Sequence, residues 1–267
     1  MENYLFIVEG AHDIAFLGKM LNLLKFKEIK EISNLSPLME KFIPNKFPFY
    51  KDKLNIFNFI PFFYKLENKQ IVIINANGEE NLLDKLDVIM NELELDEIRL
   101  IKHIVIFADG DLKNRIEKID SILNVDFENK EYEFFNKENL NNQRAKLNIY
   151  NKFEIGLDYY IFPDNNSAGR LEDIIIDGIK NNDMNLLNSA EKFISEVEQE
   201  YKSSWNAGNS KEEKAMIGIV GNILVPGAGN TSLLYNKNVK WISEEVKDKV
   251  PYVKKIHEFL SEIIGLV

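Results

Sequence analysis

Cysteine is absent from the 267 residues, which excludes disulfides, thiolate zinc sites and cysteine nucleophiles together. Histidine is nearly absent. His12, His103 and His257 are too few and too scattered for a His-rich metal site or an HExxH helix, so any metal would rest on oxygen ligands. Long apolar runs are missing as well: Leu5 to Val8 and Ile104 to Ala108 stop far short of the ~20 residues of a spanning helix. The opening MENYLF lacks the basic stretch of a signal peptide, and a cytoplasmic protein without a membrane span is expected. Nor is there a surplus of positive charge. The 33 basic and 43 acidic residues leave −10, which argues against a broad basic face that coats nucleic acid. It leaves room for a local basic groove, or for a site whose acids are screened by divalent cations.

What is present suffices for a substantial core. Hydrophobic residues make up 45% and aromatics 11%, enough apolar surface to offset chain entropy over most of the length. The chain is long for one average domain and short for two large ones, so one core domain with a smaller helical addition is expected. Tyr4 to Val8 is continuously apolar, as in a strand buried on both faces of a parallel sheet. Glu9-Gly10 ends it, and a broad apolar stripe through Ile14, Leu17, Leu21 and Leu24 reads as a buried helix. The same order recurs at Ile71 to Ile74 before a helix near 80–93, at Ile104 to Ala108 before one near 113–123, and at Tyr159 to Phe162 before one near 168–179.

Four such units predict an α/β domain over 1–180, with a mainly parallel sheet flanked by helices and ligands at the carboxyl ends of the strands. An insertion is expected over about 33–63, where Pro37, Pro44, Pro48 and Pro61 break any long helix, with a short helix and an edge strand around Asn55 to Phe59. Residues 124–158, with the Asn-rich stretch Asn136 to Asn142, read as an extended excursion. Residues 181–267 read as a helical extension, with helices near 186–202, 211–223 and 252–264.

The strand ends carry the candidate chemistry. Glu9 and Asp13 stand four apart across the first strand-to-helix turn, where, taken alone, Asp13 reads as a helix cap and Glu9 as a solvated loop acid. Asp109 and Asp111 follow the third strand with one glycine between them. If strand geometry persists, residues two apart share a side and both carboxylates face one point. Two such acids repel unless a cation lies between them. An Asp-Gly hairpin is the alternative, but it wants alternating strands on both sides, and here an apolar strand leads into an amphipathic helix. After the fourth strand come Asp164 and then Glu172 and Asp173, which read either as site acids or as complements to the helix N-terminus, with Asn166 or Ser167 as its cap. Three of four strand ends thus carry acids.

VEGAHD at the first strand end, with IFADGD at a later one, resembles the Toprim domain shared by type IA and type II topoisomerases, bacterial primases, recombination mediators and nucleases of the overcoming-lysogenization-defect family. FPDNNSAGRLEDI and KEEKAMIGI are similar to small stand-alone Toprim-like proteins of prokaryotes, some of which serve in phage defence beside an ATPase. The likeness covers residues 1 to about 180 well and the remainder less specifically.

It implies a Rossmann-like fold and a divalent-metal-dependent nuclease. Glu9, Asp109 and Asp111 would be ligands of Mg²⁺ or Mn²⁺, Asp13 a further ligand or orienter, and Asp164 and Glu172 candidates for a second ion. DNA or RNA would be the substrate, and a partner ATPase and a homodimer are further expectations. The alternative is a non-catalytic Toprim-fold scaffold that binds a protein partner or a phosphorylated ligand. A nuclease also needs a cation near the phosphate: Lys211 and Lys214 are candidates, though equally solvated helix residues, and Arg144, Lys146 and Arg170 are others. Val225 to Thr231 is Gly-rich but lacks the ending of a Walker motif, and reads as a turn packed on the core. His103, His257, Trp205 and Trp241 read more simply as packing residues.

Overall fold

The computed structural model describes residues 1–44, 49–50, 53–54, 60–123, 132–133, 145–149, 152–203, 205 and 210–266. In chain order the strands are β1 (Glu2–Val8), β2 (Lys27–Ile29), β3 (Phe49–Tyr50), β4 (Lys53–Leu54), β5 (Phe62–Leu66), β6 (Lys69–Asn75), β7 (Ile101–Asp109), β8 (Tyr132–Glu133), β9 (Ala145–Ile149) and β10 (Phe153–Phe162). The helices are α1 (Ala11–Leu23), α2 (Pro37–Glu40), α3 (Leu82–Glu92), α4 (Leu95–Ile98), α5 (Arg115–Leu123), α6 (Leu171–Glu196), α7 (Lys211–Leu224), α8 (Asn230–Tyr235) and α9 (Pro251–Ile264).

The chain packs as two compact units: Met1–Ile14 with Lys25–Ala108 and Ile119–Tyr160, and Ala15–Leu24 with Asp109–Lys118 and Ile161–Val267. The expected boundary at 180 falls instead inside α6, which runs on to Glu196 with a kink at Asp183. The physical reason is local. The turn after β7 is bonded to the segment after β10, through Gly110 N–H to the Phe162 carbonyl (3.2 Å) and Asp111 N–H to the Gly169 carbonyl (2.8 Å). These segments therefore pack with the later helices.

The first unit holds the sheet, in the order β2-β5-β6-β1-β7-β10-β9-β8. Its centre is parallel, with Val8 opposite both Asn75 of β6 and Phe107 of β7. Its margins are antiparallel, β2 on β5 and β5 on β6 at one side, and β8 on β9 and β9 on β10 at the other. The α/β class and the parallel centre agree with the apolar runs read from the sequence. Phe6, Ile7, Val8, Val105, Ile106 and Phe107 are fully buried, each contributing about 1.5–3 kcal/mol. The Phe6 and Phe107 rings meet edge to face at 5.3 Å, and α3 packs against β1.

The predicted excursion over 124–158 is corrected in its last part. β9 and β10 form an antiparallel ladder, because Leu147, Ile149, Ile155 and Leu157 supply buried residues at alternate positions. The short helix of the expected insertion is α2, capped by Ser36; Asn55 to Phe59, Asn136 to Asn142 and Arg144 lie outside the described residues. Asn3, Ser36 and Gln70 form a buried polar cluster that ties the insertion to β1 and β6.

In the second unit, α6 and α7 pack against each other. Trp241 is fully buried and donates to Asp183 (2.9 Å) at the kink of α6. The Val225 to Thr231 turn is not packed on the core as expected. Asn222 holds it by accepting from Gly227 N–H, and Gly227 and Gly229 face open space.

Candidate functional site

Acids near helix starts recur through the chain, and four of them serve one local purpose. Asp13 accepts the Gly10 amide at 2.8 Å ahead of α1, Glu97 the Glu94 amide at 2.9 Å ahead of α4, Glu117 the Asn114 amide at 3.0 Å ahead of α5, and Asp173 the Arg170 amide at 2.7 Å ahead of α6. Each satisfies a backbone donor that the helix cannot bond itself. Asp13 is 8% exposed and spends one oxygen in this way, so the cap reading accounts for its position. The first helix-start acid of the fourth unit is also reassigned: α6 begins at Leu171, and neither Asn166 nor Ser167 caps it. Asp164 instead accepts the Ser167 (2.8 Å) and Asn166 (3.2 Å) amides and pairs with Lys255 at 2.7 Å.

Strand geometry does not persist through Asp109-Gly110-Asp111. β7 ends at Asp109, and Asp111 turns into the left-handed region at φ +53°. A turn follows, with Lys113 N–H on the Gly110 carbonyl, and it leads into α5 rather than a hairpin. A Cβ on Gly110 would lie 3.0 Å from the Lys113 and Phe162 carbonyl oxygens and 3.1 Å from that of Gly169. Only glycine fits this enclosure without displacing backbone. Asn165, also at positive φ, closes the far side by accepting from Ile161 N–H and from the Arg115 guanidinium.

Both carboxylates of the motif therefore address the start of α6. Asp109 accepts the Leu171 amide at 2.8 Å, where the helix presents a free donor and the positive end of its dipole. Asp111 accepts from Arg170 Nε at 2.8 Å on one oxygen and from Lys118 Nζ at 3.0 Å on the other. Burial alone would raise the Asp111 carboxyl, but Arg170 and Lys118 outweigh it and hold the group below the usual carboxylate range. Asp164 is lowered likewise, burial being outweighed by Lys255 and the two amides. Asp173 moves the other way, raised by burial, with Glu213 and Glu172 adding to the rise. Glu172 is 2% exposed and faces Lys214 Nζ at 3.6 Å. Asp164 and Glu172, expected as a pair for a second ion, are thus bound to different lysines. Lys211 and Lys214 lie exposed on α7, and Lys146 pairs with Glu154 at 2.8 Å on the surface.

Glu9 belongs to the first unit, where its carbonyl accepts the Gly78 amide at 2.9 Å. His103 lies in β7 with Nε2 2.6 Å from Asp158 and its ring over Gly156, a packing role of the kind expected.

The donor set is carboxylate oxygen throughout, which suits Mg²⁺ or Mn²⁺ in kind. As they stand these acids are bonded to protein groups, and an ion would have to displace them. Among the described residues no three His, Cys, Asp or Glu side chains are grouped so as to hold a metal, and both oxygens of Asp111 already face cations. The residue that the sequence reading missed is Lys118. On α5, Arg115 (8% exposed), Lys118 (2%) and Ile119 (4%) are buried while Ile116 is 58% exposed, so the buried face mixes two cations with one isoleucine. An apolar stripe does not select a lysine for burial, and the signal in the sequence was a lysine seven residues beyond Asp111.

A family model described as "Protein of unknown function (DUF3226)" matches residues 3–264. The crystal structure of a hypothetical protein from Pyrococcus horikoshii OT3 is similar in fold, with a TM-score of 0.55 and 16% identity, covering 100% of this chain and 98% of that one. Among curated proteins none matches. No helix among the described residues is long and apolar enough to cross a membrane. With nearly its whole length matched, the chain belongs to the DUF3226 family.

Proposed function

We propose that this chain is a nuclease of Toprim-like build that hydrolyses phosphodiester bonds of DNA or RNA in the presence of Mg²⁺ or Mn²⁺. The observation that carries the reading is the Asp109-Gly110-Asp111 turn at the end of a central parallel strand. An enclosed glycine holds its two acids in place, and the amide of Leu171 and the side chains of Arg170 and Lys118 keep them oriented toward the start of α6. A divalent ion, when bound, would supply an acidic water and stabilise a leaving oxygen. Asp109 and Asp111 are the acids proposed to serve it, Glu9 being added on its sequence motif alone, and Arg170, Lys211 and Lys214 are the cations proposed for a phosphate. A partner ATPase and a homodimer belong to the same proposal and are read out by co-purification and light scattering.

The test is incubation of the protein with plasmid DNA and with total RNA, in EDTA, Mg²⁺ or Mn²⁺, beside Asp109→Ala. Metal-dependent cleavage that disappears in the variant is the expected result. Equal cleavage by both proteins would overturn the assignment. Cleavage by neither would favour the second reading, a non-catalytic scaffold for a protein partner or a phosphorylated ligand, which the two cations already seated on Asp111 support.

A further inference from the structure

We propose that Lys118 and Arg170 form a built-in counter-ion at Asp111, standing where a divalent cation would neutralise that carboxylate, so that free metal binds only by displacing protein side chains. The inference rests on the reading of Asp109 and Asp111 as metal-binding acids.

Three observations support it. The first is stoichiometric: each Asp111 oxygen faces its own cation, Arg170 Nε at 2.8 Å on Oδ1 and Lys118 Nζ at 3.0 Å on Oδ2. Two unit charges together supply what one divalent ion would. The second is the cost at which Lys118 is held. Its side chain is 2% exposed, on a helix that leaves Ile116 and the preceding Leu112 at 58% and 78% exposure. Burying an ammonium while exposing leucine and isoleucine is unfavourable unless a carboxylate compensates the charge, and Asp111 is that carboxylate. The third is backbone placement: Gly110 is enclosed by three carbonyl oxygens and Asp111 N–H is bonded to the Gly169 carbonyl at 2.8 Å, so the backbone that carries Asp111 is anchored beside the segment that bears Arg170. The charge near Arg170 also exceeds what one aspartate provides, since Glu213 and Asp109 act on it too. Removing either basic side chain therefore leaves an uncompensated acidic centre.

The measurement is binding of Mn²⁺ alone, without nucleic acid, followed by the loss of the free-ion electron paramagnetic resonance signal. It compares the wild-type protein with Lys118→Met, Arg170→Gln and each combined with Asp111→Asn, folding being checked by circular dichroism. Wild-type protein should bind Mn²⁺ weakly. Lys118→Met should bind it about tenfold more tightly, and Asp111→Asn should cancel the gain. Arg170, nearer the surface, provides the same comparison should Lys118→Met fail to fold. Unchanged affinity in the folded variants would overturn the inference, as would wild-type binding as tight as theirs. The two proposals separate cleanly: a gain in Mn²⁺ affinity without cleavage keeps the counter-ion and removes the nuclease, and cleavage without any gain does the reverse.

Discussion

The centre of the sheet in the first unit and the turn after β7 in the second are held by opposite physics. In the sheet, Phe6, Val8, Ile106 and Phe107 are fully buried, and their stability comes from area removed from water and from close packing. Around Asp111 buried groups are charged, and they persist because they meet opposite charges or backbone donors: Lys118 and Arg170 on Asp111, the Leu171 amide on Asp109, Lys214 on Glu172. The first region responds to changes of volume and ignores pH. The second tolerates little change of charge and responds to pH. In a chain without cysteine and with three histidines, these carboxylates and cations are thus retained by pairing where packing alone would not hold them.

Substitutions should separate the two regimes. Phe107→Ala, which empties a ring's volume between Phe6 and Tyr160, should cost about 3–5 kcal/mol in denaturant unfolding; a loss as small as that of a surface variant would break the contrast. Asp111→Ala is next. Its carboxylate is partly exposed, but its removal strands the buried Lys118, and a loss of about 1–3 kcal/mol is expected at neutral pH. Gly110→Ala should cost a similar or slightly smaller amount, about 1–2 kcal/mol, from three crowded carbonyls, and unlike Asp111→Ala it should leave the acid dependence of stability unaltered.

That dependence has a definite sign. The Asp111 carboxyl titrates below its unfolded value, so its contribution is complete above about pH 4 and is lost as the pH falls through the lower, folded value. Stability of the wild-type protein should therefore fall more steeply in acid than that of Asp111→Ala; parallel curves would show that the pairs around Asp111 do not stabilise the fold. The smallest effect is expected from Lys146→Ala, which removes an exposed pair with Glu154, at about 0.2–1 kcal/mol.

Legibility in the sequence follows the same division. β1, β6 and β7 were readable because a strand buried on both faces must be continuously apolar, and Tyr4 to Val8, Ile71 to Ile74 and Ile104 to Ala108 satisfy that condition. The helices near 82–92, 211–224 and 251–264 were readable from their apolar stripes. β9 was not, because it lies at a sheet margin and is five residues long, with polar Lys146 and Asn148 interrupting its apolar ones. The placement of Asp109 and Asp111 at a strand end was legible. Their partners were not, since nothing in the pattern of α5 selects Lys118 for burial beside Ile119, and Arg170 is 59 residues from Asp111.

By itself the sequence determined the α/β class, the parallel centre and the acids at strand ends, because these depend on local patterns of apolar and polar residues that any fold of the class must respect. Tertiary structure decided which of the possible partners those acids take. A carboxylate's identity does not specify whether it caps a helix, as Asp13 and Asp173 do, pairs with a lysine, as Asp164 does, or carries two cations, as Asp111 does. Electrostatic pairing acts between residues distant in the chain, and only the packed backbone brings the two charges within reach.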